Sequence, residues 1–172
     1  MTLSRFPTQA PSPDAPLTPS GSLLAQLCDE LQRHSPFDEM EPAHVRAFVE
    51  ASRQAYFAPG EALVRPEDGV ASELFYIRRG AVVGKRGLSG ELFPISAVLA
   101  QRATSTAYHA TADTFVLRLP AAHSLALAEL SPVFGDFLNR RILRFLDLSR
   151  AALQSAYASR VLSEQSMETP LE

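Results

Sequence analysis

Residues 56–113 read YFAPGEALVRPEDGVASELFYIRRGAVVGKRGLSGELFPISAVLAQRATSTAYHATAD. Short apolar runs alternate here with Gly and Pro at close intervals, the signature of a compact, many-turned β structure. Ala58-Pro59-Gly60-Glu61 is a turn with Pro and Gly in the favoured order. The alternation predicts strands over 62–64, 73–77 and 81–83, with polar turns at 65–70 and 78–80 and a charged, Gly-rich hairpin over 84–90. Two more strands, rich in β-branched and aromatic residues, are expected over 104–109 and 114–119, with Asp113 at the turn between them.

Outward from this stretch the period changes. Ser22 can cap a helix over 22–34, in which Leu23, Leu24, Leu27 and Leu31 recur at helical spacing. Ser35-Pro36-Phe37 ends it, because proline disfavours α geometry in the residue before it. A second helix opens near Pro42 with Val45, Phe48 and Val49 as its buried stripe. On the far side a short helix is expected over 121–130, after Pro120. Ser131-Pro132 then starts a long one that runs to about residue 165. Along it Leu138, Ile142, Phe145, Ser149, Ala152, Ala156 and Ser159 fall at spacings of four and three, a heptad seam that predicts a homodimer through this helix.

Residues 1–21 hold five prolines and no apolar period. Such a stretch buries too little surface to offset its ordering entropy, so a disordered tail is expected. The domain plan is therefore the tail, a β-roll domain with N-terminal helices over 22–130, the long helix over 131–165, and a linker over 166–172. The fold class is mainly β with flanking α, a double-stranded β-helix (jelly-roll or β-roll).

Composition excludes several functions. The chain has 172 residues and a net charge of −3, with no basic surplus to suggest nucleic acid. No apolar run is long enough to span a bilayer and no signal-peptide layout opens the chain, so neither membrane nor nucleic-acid partners are expected and the compartment is taken as the cytosol. Cys28 is the only cysteine and reads as a small core residue. His34, His44, His109 and His123 are scattered, which argues against a metal-dependent enzyme of the cupin type. No basic recognition helix is present to bind DNA.

Pro36-Phe37, Phe57-Ala58-Pro59-Gly60-Glu61, Leu74-Phe75-Tyr76-Ile77 with Gly80 and Val82, and Asp113 with Leu117-Arg118-Leu119-Pro120 are together similar in order and spacing to the cyclic-nucleotide-binding domain family. The resemblance runs over roughly residues 24–150. It implies a regulatory β-roll whose ligand cassette here lies within 90–107. In that family a Phe-Gly-Glu segment opens a short helix and an Arg-x-Ala-Thr segment follows. Backbone N–H groups and the arginine hold the cyclic phosphate, and the glutamate accepts from the ribose 2′-hydroxyl.

The cassette departs from this pattern. Phe93 fits. Pro94 stands at the glycine place and has no N–H to give. Ile95 stands at the glutamate place and cannot accept a hydrogen bond. Without gaps the arginine place falls on Thr104; a two-residue shift brings Arg102-Ala103-Thr104-Ser105 into register instead. The candidate ligand-binding residues are Phe93, Ile95, Ser96, Ala97, Arg102, Ala103, Thr104 and Ser105. The expected function is a ligand-sensing regulatory module with a degenerate phosphate cassette. A ligand-free dimerisation module and a true cyclic AMP or cyclic GMP receptor are the alternatives. Ser96, Thr104, Ser105 and Thr106 offer hydroxyls to an uncharged ligand, and Arg102 offers a charge to an anion.

The Phe-Pro-Ile-Ser-Ala variant, with Ala-x-Asp-Thr-Phe and Ser-Pro-x-Phe-x-Asp-Phe, resembles one branch of the family. There the domain stands at the N-terminus of bacterial signalling proteins, ahead of paired CBS modules and a nucleotidyltransferase-like domain. This implies CBS and nucleotidyltransferase-like partners in cis.

Overall fold

A computed structural model describes residues 21–83 and 91–167. The tail expected over 1–21 (except Gly21), the hairpin over 84–90 and positions 168–172 of the linker lie outside the described residues. Helix α1 (Gly21–Leu31) stops three residues before the expected end, where single turns such as His34 N–H to Leu31 O (2.9 Å) carry the chain to Phe37. Helix α2 (Pro42–Ala51) follows, with Pro42 in its first turn and Val45, Phe48 and Val49 buried as its spacing predicts.

Seven strands come next: β1 (Arg53–Phe57), β2 (Ala62–Val64), β3 (Glu73–Arg79), β4 (Val82–Val83), β5 (Leu92–Phe93), β6 (Tyr108–Ala110) and β7 (Thr114–Pro120). They form two antiparallel sheets, ordered β1-β7-β3-β5 and β2-β6-β4, which do not join into a closed barrel among the described residues. Helix α3 (Ile95–Leu99) sits between β5 and β6; α4 (Ala121–Leu130) and α5 (Pro132–Met167) close the chain. Ser166 and Met167 thus belong to α5 rather than to a linker.

Two expectations need correction. The strand expected over 104–109 is a loop as far as residue 107, held by Ala71 N–H donating to Arg102 O (3.0 Å); only its end pairs with β2 and β4. The class "mainly β" also understates the helices, whose residues outnumber those of the strands. The physical reason lies in the four-stranded sheet. Side chains alternate across a strand. One face presents Leu74, Tyr76, Leu92, Leu117 and Leu119, and α1, α2, α4 and the start of α5 bury it with Leu27, Leu31, Phe48, Leu127, Phe134 and Leu138, joined by Phe37 from the turns between α1 and α2. Helices therefore supply half of the main core. Within it the rings of Phe37 and Tyr76 meet edge to face at 5.3 Å, and burial pushes the Tyr76 phenol up to about 12.

The other face looks into the roll, where Phe75, Ile77, Phe93 and Val116 pack with Leu63, Val82 and Ala110 of the three-stranded sheet. The split explains how one strand, β3, is buried at four consecutive positions, Leu74 to Ile77. Arg78 anchors it at the rim, donating to both carboxylate oxygens of Glu30 on α1 (3.0 and 2.6 Å) and to Gln54 on β1 (3.1 Å).

On α5 the heptad seam divides. Leu138 is buried and Ile142 packs against the same domain core, while Ala152 and Ala156 are exposed. Among the α5 residues whose side chains are described, the large apolar ones most exposed to solvent are Leu143 (60% exposed), Leu146 (55%), Leu153 (72%) and Tyr157 (73%).

Candidate ligand site in the roll

Strand β5 is two residues long, and its register decides what faces the roll. Tyr76 pairs with Leu92 on the helix side and Phe75 with Phe93 on the roll side. Ile77 N–H donates to Glu91 O (3.0 Å), which continues the ladder by one residue. Glu91 therefore shares the roll-facing side with Phe93 and Ile77. Its Oε2 is buried and accepts no hydrogen bond from any described residue.

An aromatic ladder crosses the roll at this level. Phe93 is fully buried; its ring stacks on Phe75 at 5.5 Å and meets Tyr108 of β6 at 4.9 Å. Phe57 meets Phe75 edge to face at 6.5 Å. Tyr108 is only partly buried. Burial raises its pKa, and a side-chain hydrogen bond with Thr106 works against that rise. Residues two positions apart at the approach to β6 thus place a hydroxyl pair beside the ladder.

The cassette follows directly. Pro94 precedes α3, whose first residue, Ile95, is 8% exposed and packs in the main core rather than in the roll cluster. Ala97 is buried there too, and its carbonyl accepts from Arg102 N–H (3.0 Å). Ser96 is half-buried and its carbonyl accepts from Ala100 N–H (3.1 Å). Gln101 turns the chain at φ 49°, and Arg102 emerges exposed. Ala103 is half-buried, Ser105 exposed. Thr104 is 5% exposed, and its hydroxyl has no partner among the described residues.

The structure therefore gathers Phe93 on the roll side and Ile95 and Ala97 on the helix side, and buries Thr104. It leaves Arg102 and Ser105 in solvent. Among the two residues that compete for the arginine place, the buried one is Thr104. Glu91 was not among the expected site residues. It stands two positions before Phe93, the spacing that puts both on one strand face, but on a strand too short for that alternation to show in the sequence. Among the described residues no group of three or more His, Cys, Asp or Glu is placed to hold a metal, and no helix is long and apolar enough to cross a membrane.

No family model matches the sequence. No curated protein matches it either. Solved structures do match. The catabolite activator protein of Thermus thermophilus aligns at 24% identity with a TM-score of 0.55, over 76% of this chain and 63% of that one. The regulatory domain of Toxoplasma gondii PKA, solved with cAMP, aligns at 16% identity and TM-score 0.62, over 70% and 50%. The regulatory subunit of a cAMP-independent protein kinase A from Trypanosoma cruzi, bound to guanosine, aligns at 16% and TM-score 0.58, over 68% and 45%. The chain spans less than two thirds of the length of each. At these identities the likeness is one of architecture: two antiparallel sheets around a roll, a short helix after β5 and helices on one sheet face are the fold of cyclic-nucleotide-binding domains.

Proposed function

We propose that the chain is a regulatory, ligand-sensing module of a bacterial signal-transduction protein, with the roll as receptor and α5 as output. The observation that carries this reading is the position of α3. It follows β5 with one residue between, so its start is tied to the roll-facing Phe93, and it packs against both α4 and α5. A ligand that shifts β5 is thereby coupled to the long helix, and its differential affinity for the two positions sets how far the equilibrium moves. The module itself is not an enzyme in this reading. It works in the cytoplasm, as the part over 22–130 joined to a helix that pairs with a second copy. CBS and nucleotidyltransferase-like domains in cis are the expected receivers of the signal.

A second reading, a module that only dimerises, draws on the apolar filling of the roll by Phe75, Phe93, Ile77 and Val116. The third, a cyclic AMP receptor, lacks its chemistry: Pro94 has no N–H, Ile95 is committed to the core, and Arg102 is exposed. Hydrogen exchange on the whole chain, with cyclic AMP, cyclic GMP and uncharged nucleosides added in turn, tests all three. Sensing predicts that a bound ligand slows exchange in the roll and changes it in α3 and α5 together. A chain that stays dimeric while no ligand alters exchange anywhere is the dimerisation module. Strong stabilisation by micromolar cyclic AMP would establish the receptor and overturn the degenerate reading.

A further inference from the structure

The roll-facing side of the chain at β5 carries a buried acceptor atom with no partner among the described residues. Glu91 Oε2 and Thr104 Oγ1 are the two buried side-chain polar atoms with no hydrogen-bond partner among the described residues. An unpaired buried carboxylate oxygen is costly, and one that a native structure keeps calls for an explanation, of which a ligand is one. Glu91 faces the roll beside Ile77 and Phe93. Thr104 lies in the loop that leads to Tyr108, and the Phe93–Tyr108 ring contact brings that loop's strand against β5. The two unpartnered atoms thus lie on the two segments, the start of β5 and the approach to β6, that the Phe93–Tyr108 contact joins.

The chemistry of the pair selects the ligand. A carboxylate accepts hydrogen bonds and repels anions; a hydroxyl both gives and takes. Arg102, the cassette's arginine, is exposed, so no cassette cation is buried to offset Glu91 against a phosphate. Tyr108, the partly exposed ring of the ladder, offers a planar surface. Resting on the reading of the roll as a receptor, we propose that its ligand is an uncharged nucleoside without phosphate, held by Glu91 accepting from sugar hydroxyls or base N–H groups, with Thr104 as a second contact. Glu91 then takes the acceptor role that Ile95 cannot fill, from the strand before the cassette instead of from the cassette helix.

Calorimetric titration of the whole chain with adenosine, guanosine and cyclic AMP tests this, on the native protein and on Glu91→Gln and Thr104→Val. The expected result is saturable nucleoside binding, weaker binding of cyclic AMP, and a roughly ten- to hundredfold loss of nucleoside affinity in Glu91→Gln, since a charged acceptor becomes a neutral one. Glu91→Gln without ligand should melt no lower than the native chain, because the buried carboxylate oxygen has no hydrogen bond among the described residues to lose; this separates lost recognition from lost folding. Thr104→Val, which keeps the shape, should weaken binding by a smaller factor. Cyclic AMP binding as tightly as the nucleosides, or nucleoside binding unchanged in Glu91→Gln, overturns the nucleoside assignment and leaves the sensing module standing. No heat from any of the three at millimolar concentration overturns it too. If exchange in α3 and α5 is then also indifferent to every ligand, the sensing reading falls with it.

Discussion

Gly80 shows what a single residue contributes to the roll. It adopts φ 105°, a conformation that costs an L side chain roughly 1–3 kcal/mol. A Cβ built there would lie 2.5 Å from Asp113 O and 2.6 Å from Thr114 Cα, both backbone atoms that cannot turn aside. The crowding has a purpose. Thr114 is fully buried, its hydroxyl donating to Ala112 O (2.8 Å) and accepting from Ala81 N–H (3.3 Å), which locks the β3–β4 turn onto the start of β7. Gly80→Ala should therefore lower the melting temperature by roughly 5–10 °C, at about 2–4 °C per kcal/mol for a chain of this size. Differential scanning calorimetry checks it; an unchanged melt would mean that the turn is not held as described. The need for glycine here is readable in the sequence as an Arg-Arg-Gly turn after an apolar run. Its neighbour Thr114 is not, because proximity across a sheet leaves no trace in local pattern. Glu91 was missed for a different reason. The period-2 rule reaches it, but β5 is only two residues long, too short for an alternation to be visible.

At the scale of elements, periodicity was a good guide wherever an element buries one face alone. Helix α2, strand β2 and helix α4 stand where their patterns put them. It was a poor guide in the loop 100–107, where Thr and Ser suggest a strand but the backbone groups that would pair are drawn off by contacts such as Ala71 to Arg102. It also missed β1 altogether, an edge strand that opens on the exposed polar side chains of Arg53 and Gln54. The cassette helix α3 carries the sharpest consequence. The glutamate missing at Ile95 looks, in the sequence, like a simple loss of an acceptor. In the structure Ile95 has become a core residue, packed with the cluster that includes Leu92, Val98 and Leu117. Putting the carboxylate back by Ile95→Glu should then bury a charge without a partner, at a cost of several kcal/mol, and lower the melting temperature without conferring cyclic AMP binding. Ile95→Val should cost only about 0.5–1.5 kcal/mol. Thermal melts with and without cyclic AMP separate the cases. A well-folded Ile95→Glu chain that binds cyclic AMP would show that the position still opens into the roll.

For the whole molecule the open question is what covers α5. The seam expected through Leu138 and Ile142 is used within the domain, where both pack against its core. Beyond it, Leu143, Leu146, Leu153 and Tyr157 are exposed, and with Arg150 they follow spacings of three, four, three and four. That is a second heptad stripe, turned to one side of the first and suited to a partner helix. One helix carrying four large apolar side chains more than half in solvent is poorly matched to a lone domain. Arg150 within the stripe disfavours any register that sets like charges together, so it would choose among pairings more than it strengthens them. If a second copy covers the stripe, Leu146→Glu combined with Leu153→Glu should convert a dimer to a monomer while leaving the roll folded, since neither residue touches the buried core. Light scattering after size exclusion reads the mass, and far-UV circular dichroism reads the fold. The substitutions Ala152→Glu and Ala156→Glu, on the seam first expected, should weaken the dimer less. If those two alone dissociate it and the leucine pair does not, the helices meet on the small-residue face and the exposed leucines serve another surface.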